Sequence, residues 1–207
     1  MLSRLRGLMT RLWTPLADLL LRAGVSPDAV TVAGTLVVVV TALWAFPMGH
    51  LLLGAVLIAV FTLTDSIDGV MARRSGRAGP WGAFLDSTLD RFGDGAIFAG
   101  LVLWYTGGGD DRLTAVLALA CLVLGSVVPY ARARAEGLGM TAAVGIAERA
   151  DRLVAVLLAA VLVGAGLPHV VMTVVLALLA AASAVTVVQR AATVRHQVRA
   201  AQDGGAA

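Results

Sequence analysis

The sequence predicts an all-α integral membrane protein with six transmembrane helices and an amphipathic helix lying at the membrane interface before them. Three observations carry that expectation. Of 207 residues, 59% are hydrophobic and 14% charged, with a mean hydropathy of +0.89; soluble domains have an apolar share of roughly 45–50%. Apolar stretches long enough to cross a bilayer recur along the chain. The 16 basic residues are all Arg, and they gather in alternate connections between those stretches. Such a composition leaves no room for a large extramembrane domain, and the single cysteine, Cys121, excludes a disulfide framework or a cysteine-rich metal site.

Residues 1–22 are expected to form the interfacial helix. Leu2, Leu5, Leu12, Leu16 and Leu19 fall on or near one helical face, and Arg4, Arg11 and Asp18 recur at sevens on another. Pro15, Asp18 and Arg22 interrupt any continuous apolar core, so a cleaved signal peptide is not expected. The six-helix domain is placed at 23–196, with spans near 28–48, 50–72, 82–106, 112–134, 148–167 and 169–194, divided by Gly, Pro and Asp clusters. Residues 197–207 are expected to be a polar, irregular tail.

The connections near 47–50 and 167–169 hold no Arg, and 107–112 holds one. Arg4, Arg6, Arg11, Arg22, Arg73, Arg74, Arg77, Arg132, Arg134, Arg149, Arg152, Arg190, Arg195 and Arg199 belong to the other side. Positive charge stays on the cytoplasmic face, which places both termini there in a multi-pass protein of the cell membrane. Trp13, Trp44, Trp81 and Trp104 fall near span ends, where an indole sits well among headgroups.

Asp65, Asp68, Asp86 and Asp90 lie in or beside the second and third spans. Each Asp near a helix centre costs about 2.5–3.5 kcal/mol on insertion scales, so four of them call for a function. The spacings of three and four put each pair on one helical face, and a short connection lets the two faces meet. At 1.5 Å rise per residue, Asp65 and Asp68 lie roughly 12 and 7 Å below Arg73, at the inner headgroup boundary. Four converging carboxylates, if ionised together, force some to take protons unless cations compensate them. An all-oxygen set without His favours two hard divalent ions, Mg²⁺ or Mn²⁺, and such a pair suits displacement at phosphorus. His50 and His169 belong to the opposite side and His196 to the tail, leaving no His-activated nucleophile.

From Asp65 to Asp90 the pattern is D-x2-D-G-x2-A-R-x8-G-x3-D-x3-D, with Gly69, Ala72, Arg73 and Gly82 at the other fixed places. Gly69 and Gly82 allow a nucleotide to approach the backbone, Ala72 allows close helix packing, and Arg73 suits a phosphate. This stretch resembles the signature of the CDP-alcohol phosphotransferase family. The resemblance implies that Asp65, Asp68 and Asp86 bind one ion, that Asp65, Asp86 and Asp90 bind the second, and that Asp90 is the general base. Asp90 would take the proton of an acceptor hydroxyl, which attacks the β-phosphorus of a CDP-linked alcohol and expels CMP. Asp94, one turn on, is expected to pair with a nearby Arg.

SPDAVT at Ser26 to Thr31, WGAFLDSTLDR at Trp81 to Arg91, ARAEGLGM at Ala133 to Met140 and VGIAERADRL at Val144 to Leu153 resemble the actinobacterial phosphatidylinositol phosphate synthases. Those enzymes join 1D-myo-inositol 3-phosphate to CDP-diacylglycerol (CDP-DAG). The resemblance implies donor contacts from Asp28, Ala29, Val30, Thr31, Gly69 and Arg73, an inositol phosphate held by Arg132, Arg152 and Arg195, and a homodimer among membrane lipids. Arg132 stands where that subfamily usually has Lys, and Gly79 where it often has Ser, which removes a possible hydroxyl contact to the nucleotide. No nucleic-acid partner is expected. Two alternatives remain at this point: phosphatidylglycerophosphate synthase, which shares the donor and takes glycerol 3-phosphate, and an ion-coupled transporter using the intramembrane acids.

Overall fold

The computed structural model describes residues 13–64 and 66–204, and among these the regular structure is entirely helical. Residues 13–22 form α1. After it come α2 (Pro27–Ala45), α3 (Leu51–Thr64), α4 (Ser66–Arg74), α5 (Pro80–Thr106), α6 (Arg112–Glu136), α7 (Arg149–Gly164) and α8 (Val170–Gly204). Leu2, Leu5, Leu12, Arg4, Arg6 and Arg11, named above for the interfacial helix, lie outside the described residues, as does Asp65.

The sequence explains where these helices start. The Ser26 hydroxyl accepts the Ala29 amide at 3.2 Å and Pro27 occupies the first turn of α2, while Pro80 does the same for α5. Asp111 caps α6 by accepting from the Thr114 amide at 3.1 Å. Glu148 and Asp151 form a reciprocal capping box at the head of α7. Residues 197–204, expected as an irregular tail, instead continue α8 as helix. Gln197 ties that extension to the body, donating to the Thr141 carbonyl at 2.6 Å and accepting the Thr141 amide at 3.0 Å.

The long helices pack as a ring in the order α2, α5, α6, α8, α7, α3 and back to α2, with α4 leaning on α2 and α3. Small residues set the closest crossings: a Cβ on Gly100 would strike the Ala42 carbonyl, and one on Gly164 would strike the Leu52 backbone. The core buries Ala42, Phe46, Ile58, Ile97, Phe98, Leu101, Val156, Met172 and Leu176. Outside it the surface is also apolar, with Leu36, Val40, Val60, Leu119, Val123, Val154, Leu178 and Val188 exposed. An apolar exterior wrapped round an apolar core belongs in lipid rather than water. Among the described residues four stretches are long and apolar enough to cross a membrane by themselves: Pro27–Ala45, Leu51–Arg74, Arg112–Glu136 and Val170–Asp203. The chain is thus an all-α, multi-pass membrane protein. Of the two other long helices, α5 carries Asp86, Asp90, Arg91 and Asp94, and α7 has 16 residues, roughly 24 Å at the helical rise.

The two ends of the ring differ in chemistry. At one end Tyr105 and His169 meet at 3.2 Å, and the Thr114 and Thr173 hydroxyls meet at 2.6 Å. At the other, Asp18 pairs with Arg74 at 2.6 Å, tying down α1, whose Ala17 is buried against Ile67, Val70 and Met71 of α4. Leu16 and Leu19 of α1 stay exposed. This second end holds the Arg-rich connections together with Asp68, Asp86 and Asp90.

Candidate active site

Pro129 stands inside α6 and supplies no amide, so the Gly125 carbonyl loses its helical donor. Arg152 of α7 answers from the neighbouring helix: its guanidinium donates to Gly125 O at 3.5 Å and Ala147 O at 3.2 Å, and the residue is 2% exposed. Arg190 of α8 similarly binds the carbonyls of Val128 and Val144. These buried arginines hold the 137–148 connection beside the start of α7 and so place Arg149 at the Arg-rich end.

There α2, α3, α4, α5 and α7 surround a cavity of about 560 Å³. Asp28 and Thr31 come from α2, Asp68, Gly69, Ala72 and Arg73 from α4, Arg77 and Gly79 from the connection, Gly82 and Asp86 from α5, and Arg149 from α7. The Thr31 hydroxyl and the Gly69 amide both donate to Asp68, which orients that carboxylate across the α2–α4 contact. Trp81 donates its indole N–H to Asp28 at 2.9 Å at the start of α5. Gly79 and Gly82 would carry a Cβ into open space, and one on Gly69 would meet Arg73 Nη1 at 3.5 Å. The three glycines therefore leave bare backbone along the cavity wall.

Asp90 lies one turn deeper on α5, beside a smaller void of about 20 Å³ that it lines with Asp94 and Arg149. Arg149 borders both spaces. Its Nη2 is 2.8 Å from Asp90 Oδ1 and its Nε is 3.0 Å from Asp94 Oδ1. Asp94 pairs with Arg as expected, since Arg91 and Arg152 also lie within 3.8 Å of it.

Thus Asp28, Thr31, Asp68, Gly69, Arg73, Gly79, Gly82 and Asp86, spread over more than fifty positions of sequence, share one cavity. Ala29 gives its amide to Ser26, and Val30 packs against the α1–α4 cluster, so neither lines it. Arg132 is exposed and paired with Glu136 at 2.8 Å, Arg195 is exposed on α8, and Arg152 is buried as described. Arg149, Arg77 and Thr62 also line the cavity; the sequence offers Arg149 only as one of the group of inner-side arginines and gives none of the three a place of its own. Arg149 carried no mark of its own, because any Arg in an inner connection satisfies the topology rule.

Among the described residues no three His, Cys, Asp or Glu side chains are gathered closely enough to hold an ion by themselves. Asp65, the remaining expected ligand, lies outside the described residues. The donor chemistry of Asp68, Asp86 and Asp90 is all carboxylate oxygen, which fits a hard divalent cation and not a thiophilic one.

A cavity walled by acids, arginines and bare glycine backbone at one end of a membrane helix ring is a site for a phosphorylated, lipid-linked substrate. The chain belongs to the CDP-alcohol phosphatidyltransferase family, which it matches over residues 24–188. It is 47% identical over 198 residues to phosphatidylinositol phosphate synthase of Streptomyces avermitilis, covering 93% of this chain and 81% of the relative. With the enzyme of the same name from Cutibacterium acnes it shares 47% over 203 residues, 95% of this chain and 98% of that one. The crystal structure of Mycobacterium tuberculosis phosphatidylinositol phosphate synthase with CDP-DAG bound superposes with a TM-score of 0.86 at 43% identity, covering 89% of this chain and 94% of the other. The same protein in complex with manganese and citrate gives a TM-score of 0.85 at 43% identity, with 88% of each chain covered.

Proposed function

We propose that this chain transfers the phosphatidyl group of CDP-DAG to 1D-myo-inositol 3-phosphate, releasing CMP and phosphatidylinositol phosphate. The observation that carries the reading is the joining of Asp28, Thr31, Asp68, Gly69, Arg73, Gly82 and Asp86 in one cavity at the Arg-rich end, in a chain so similar to enzymes of that name.

Asp28, Thr31 and the bare backbone at Gly69, Gly79 and Gly82 receive the nucleotide, and Arg73 faces a phosphate. Asp90 accepts the proton of the inositol hydroxyl as its oxygen bonds to the β-phosphorus; the bond from that phosphorus to the bridging oxygen breaks, and CMP leaves with the electron pair. Asp65, Asp68, Asp86 and Asp90 would hold two Mg²⁺ ions, or Mn²⁺. When bound, such ions neutralise the carboxylates and draw charge from the phosphate oxygens. Arg132 and Arg195 take the acceptor phosphate from the cytoplasm, and Arg152 joins them by exchanging its carbonyl partners for phosphate oxygens.

In this reading α5 and α7 also cross the bilayer within residues 23–196, giving six spans. Their polar residues face the ring and the site, and both termini are cytoplasmic in the cell membrane. Leu16 and Leu19, exposed on α1 while Ala17 is docked, support an interfacial seat for that helix. Residues 197–204 form a polar extension of α8, and the working form is a homodimer. Purified chain in detergent with Mg²⁺ should release CMP only when CDP-DAG and inositol phosphate are both present, and EDTA should stop it. CMP release from CDP-DAG without an acceptor would make the chain a hydrolase instead.

A further inference from the structure

Asp94 has no part in the chemistry described so far, yet it is an acid only 7% exposed within a membrane helix. A buried carboxylate is costly unless paired and hydrogen-bonded. Arg149 makes the closest contact, donating from Nε to Asp94 Oδ1 at 3.0 Å, while Arg91 and Arg152 stand at 3.7 and 3.8 Å. The same guanidinium extends Nη2 to Asp90 Oδ1 at 2.8 Å and borders the cavity of about 560 Å³. A guanidinium is a rigid planar fork, so fixing Nε fixes the direction in which Nη2 points.

We propose that Asp94 is a positioning residue: by holding Arg149 it sets the place of the Asp90 carboxylate at the edge of the donor cavity. Asp94 does not line the donor cavity. Its effect passes through Arg149, whose own backbone is fixed by the capping box at the head of α7. Asn at position 94 keeps the size but removes the charge that holds the guanidinium, which can then slide toward Asp90 or into the cavity. The proposal rests on the reading of Asp90 as the base.

A double-mutant cycle on the full chain in detergent tests it, using Asp94→Asn, Arg149→Met and the pair together. Asp94→Asn should lower kcat roughly ten- to a hundredfold, as small misplacements of catalytic groups do, and leave KM for CDP-DAG within about twofold of the wild type. Because Asp94 acts through Arg149, the pair should be no slower than Arg149→Met alone. Asp94→Glu, which keeps the charge on a longer arm, should melt at the wild-type temperature and still lose kcat. It replaces Asp94→Asn in the reading if that variant shows no melting transition. Wild-type kcat in a folded Asp94 variant, or losses that multiply in the pair, would overturn the proposal. If the wild type itself releases no CMP from donor plus acceptor, the reading of the reaction fails and the proposal falls with it.

Discussion

At the scale of single residues, the site divides into groups that react and groups that make room. Asp90→Asn removes the proton acceptor while keeping size, and should lower kcat by about 10²–10⁴, the usual contribution of a general base. Its melting temperature should stay near the wild-type value, and an active Asp90→Asn would remove Asp90 from that role. Gly82 makes room: a Cβ there would meet nothing within 4 Å. Gly82→Ala should therefore leave the fold intact, and favour α5 by up to about 1 kcal/mol, while intruding on the donor. Raised KM for CDP-DAG without a fall in melting temperature is the expected pair of results. The acids were legible in the sequence because a bilayer penalises Asp, so their presence demanded a reason. Arg149 was not legible, because its value comes from reaching Asp90 and Asp94 on α5, a contact across 55 or more positions.

At the scale of elements, buried polar groups replace what the backbone lacks. Arg152→Met would leave the Gly125 and Ala147 carbonyls without the donors that now serve them, at about 1–3 kcal/mol, seen as a lower melting temperature in detergent. An unchanged melting temperature with a raised KM for inositol phosphate would instead place Arg152 wholly at the acceptor. The α6 cap gives a pH test. The Thr114 hydroxyl and amide hold the Asp111 carboxyl below its ordinary value of 3.8. A folded value lower than the unfolded one stabilises above the ordinary value, and that stabilisation is lost as pH falls through the lowered one. Asp111→Ala should melt lower than the wild type at pH 7, with the difference closing in strong acid. Helix positions were legible from apolar stretches and from the Gly, Pro and Asp clusters that divide them. Pro129 gave no boundary, because the arginines that support it come from other helices. The polar end of α8 is helical all the same, because Gln197 is fixed by Thr141 through a contact that local polarity does not reveal.

At the scale of the whole molecule, the ring sorts chemistry by end, and that sorting was visible as alternating Arg. The order of helices round the ring was not, since it depends on close crossings such as Gly100 on Ala42 and Gly164 on Leu52. Topology can be read by labelling: Leu138 and Leu167 are exposed in connections at opposite ends, and Cys121, the only cysteine, is 1% exposed. A membrane-impermeant maleimide should label Leu167→Cys in intact cells, and Leu138→Cys only in inverted vesicles. The reverse pattern would invert the orientation and put the site on the wrong side for a cytoplasmic acceptor. The identity of the enzyme lies in what the assembled site joins to the phosphatidyl group. The most direct measurement gives purified chain CDP-DAG and Mg²⁺ with inositol 3-phosphate or glycerol 3-phosphate in parallel, and reads CMP and the lipid product by mass. Phosphatidylinositol phosphate formed in the first reaction and no lipid product in the second is the predicted result, and product formed only from glycerol 3-phosphate would contradict it.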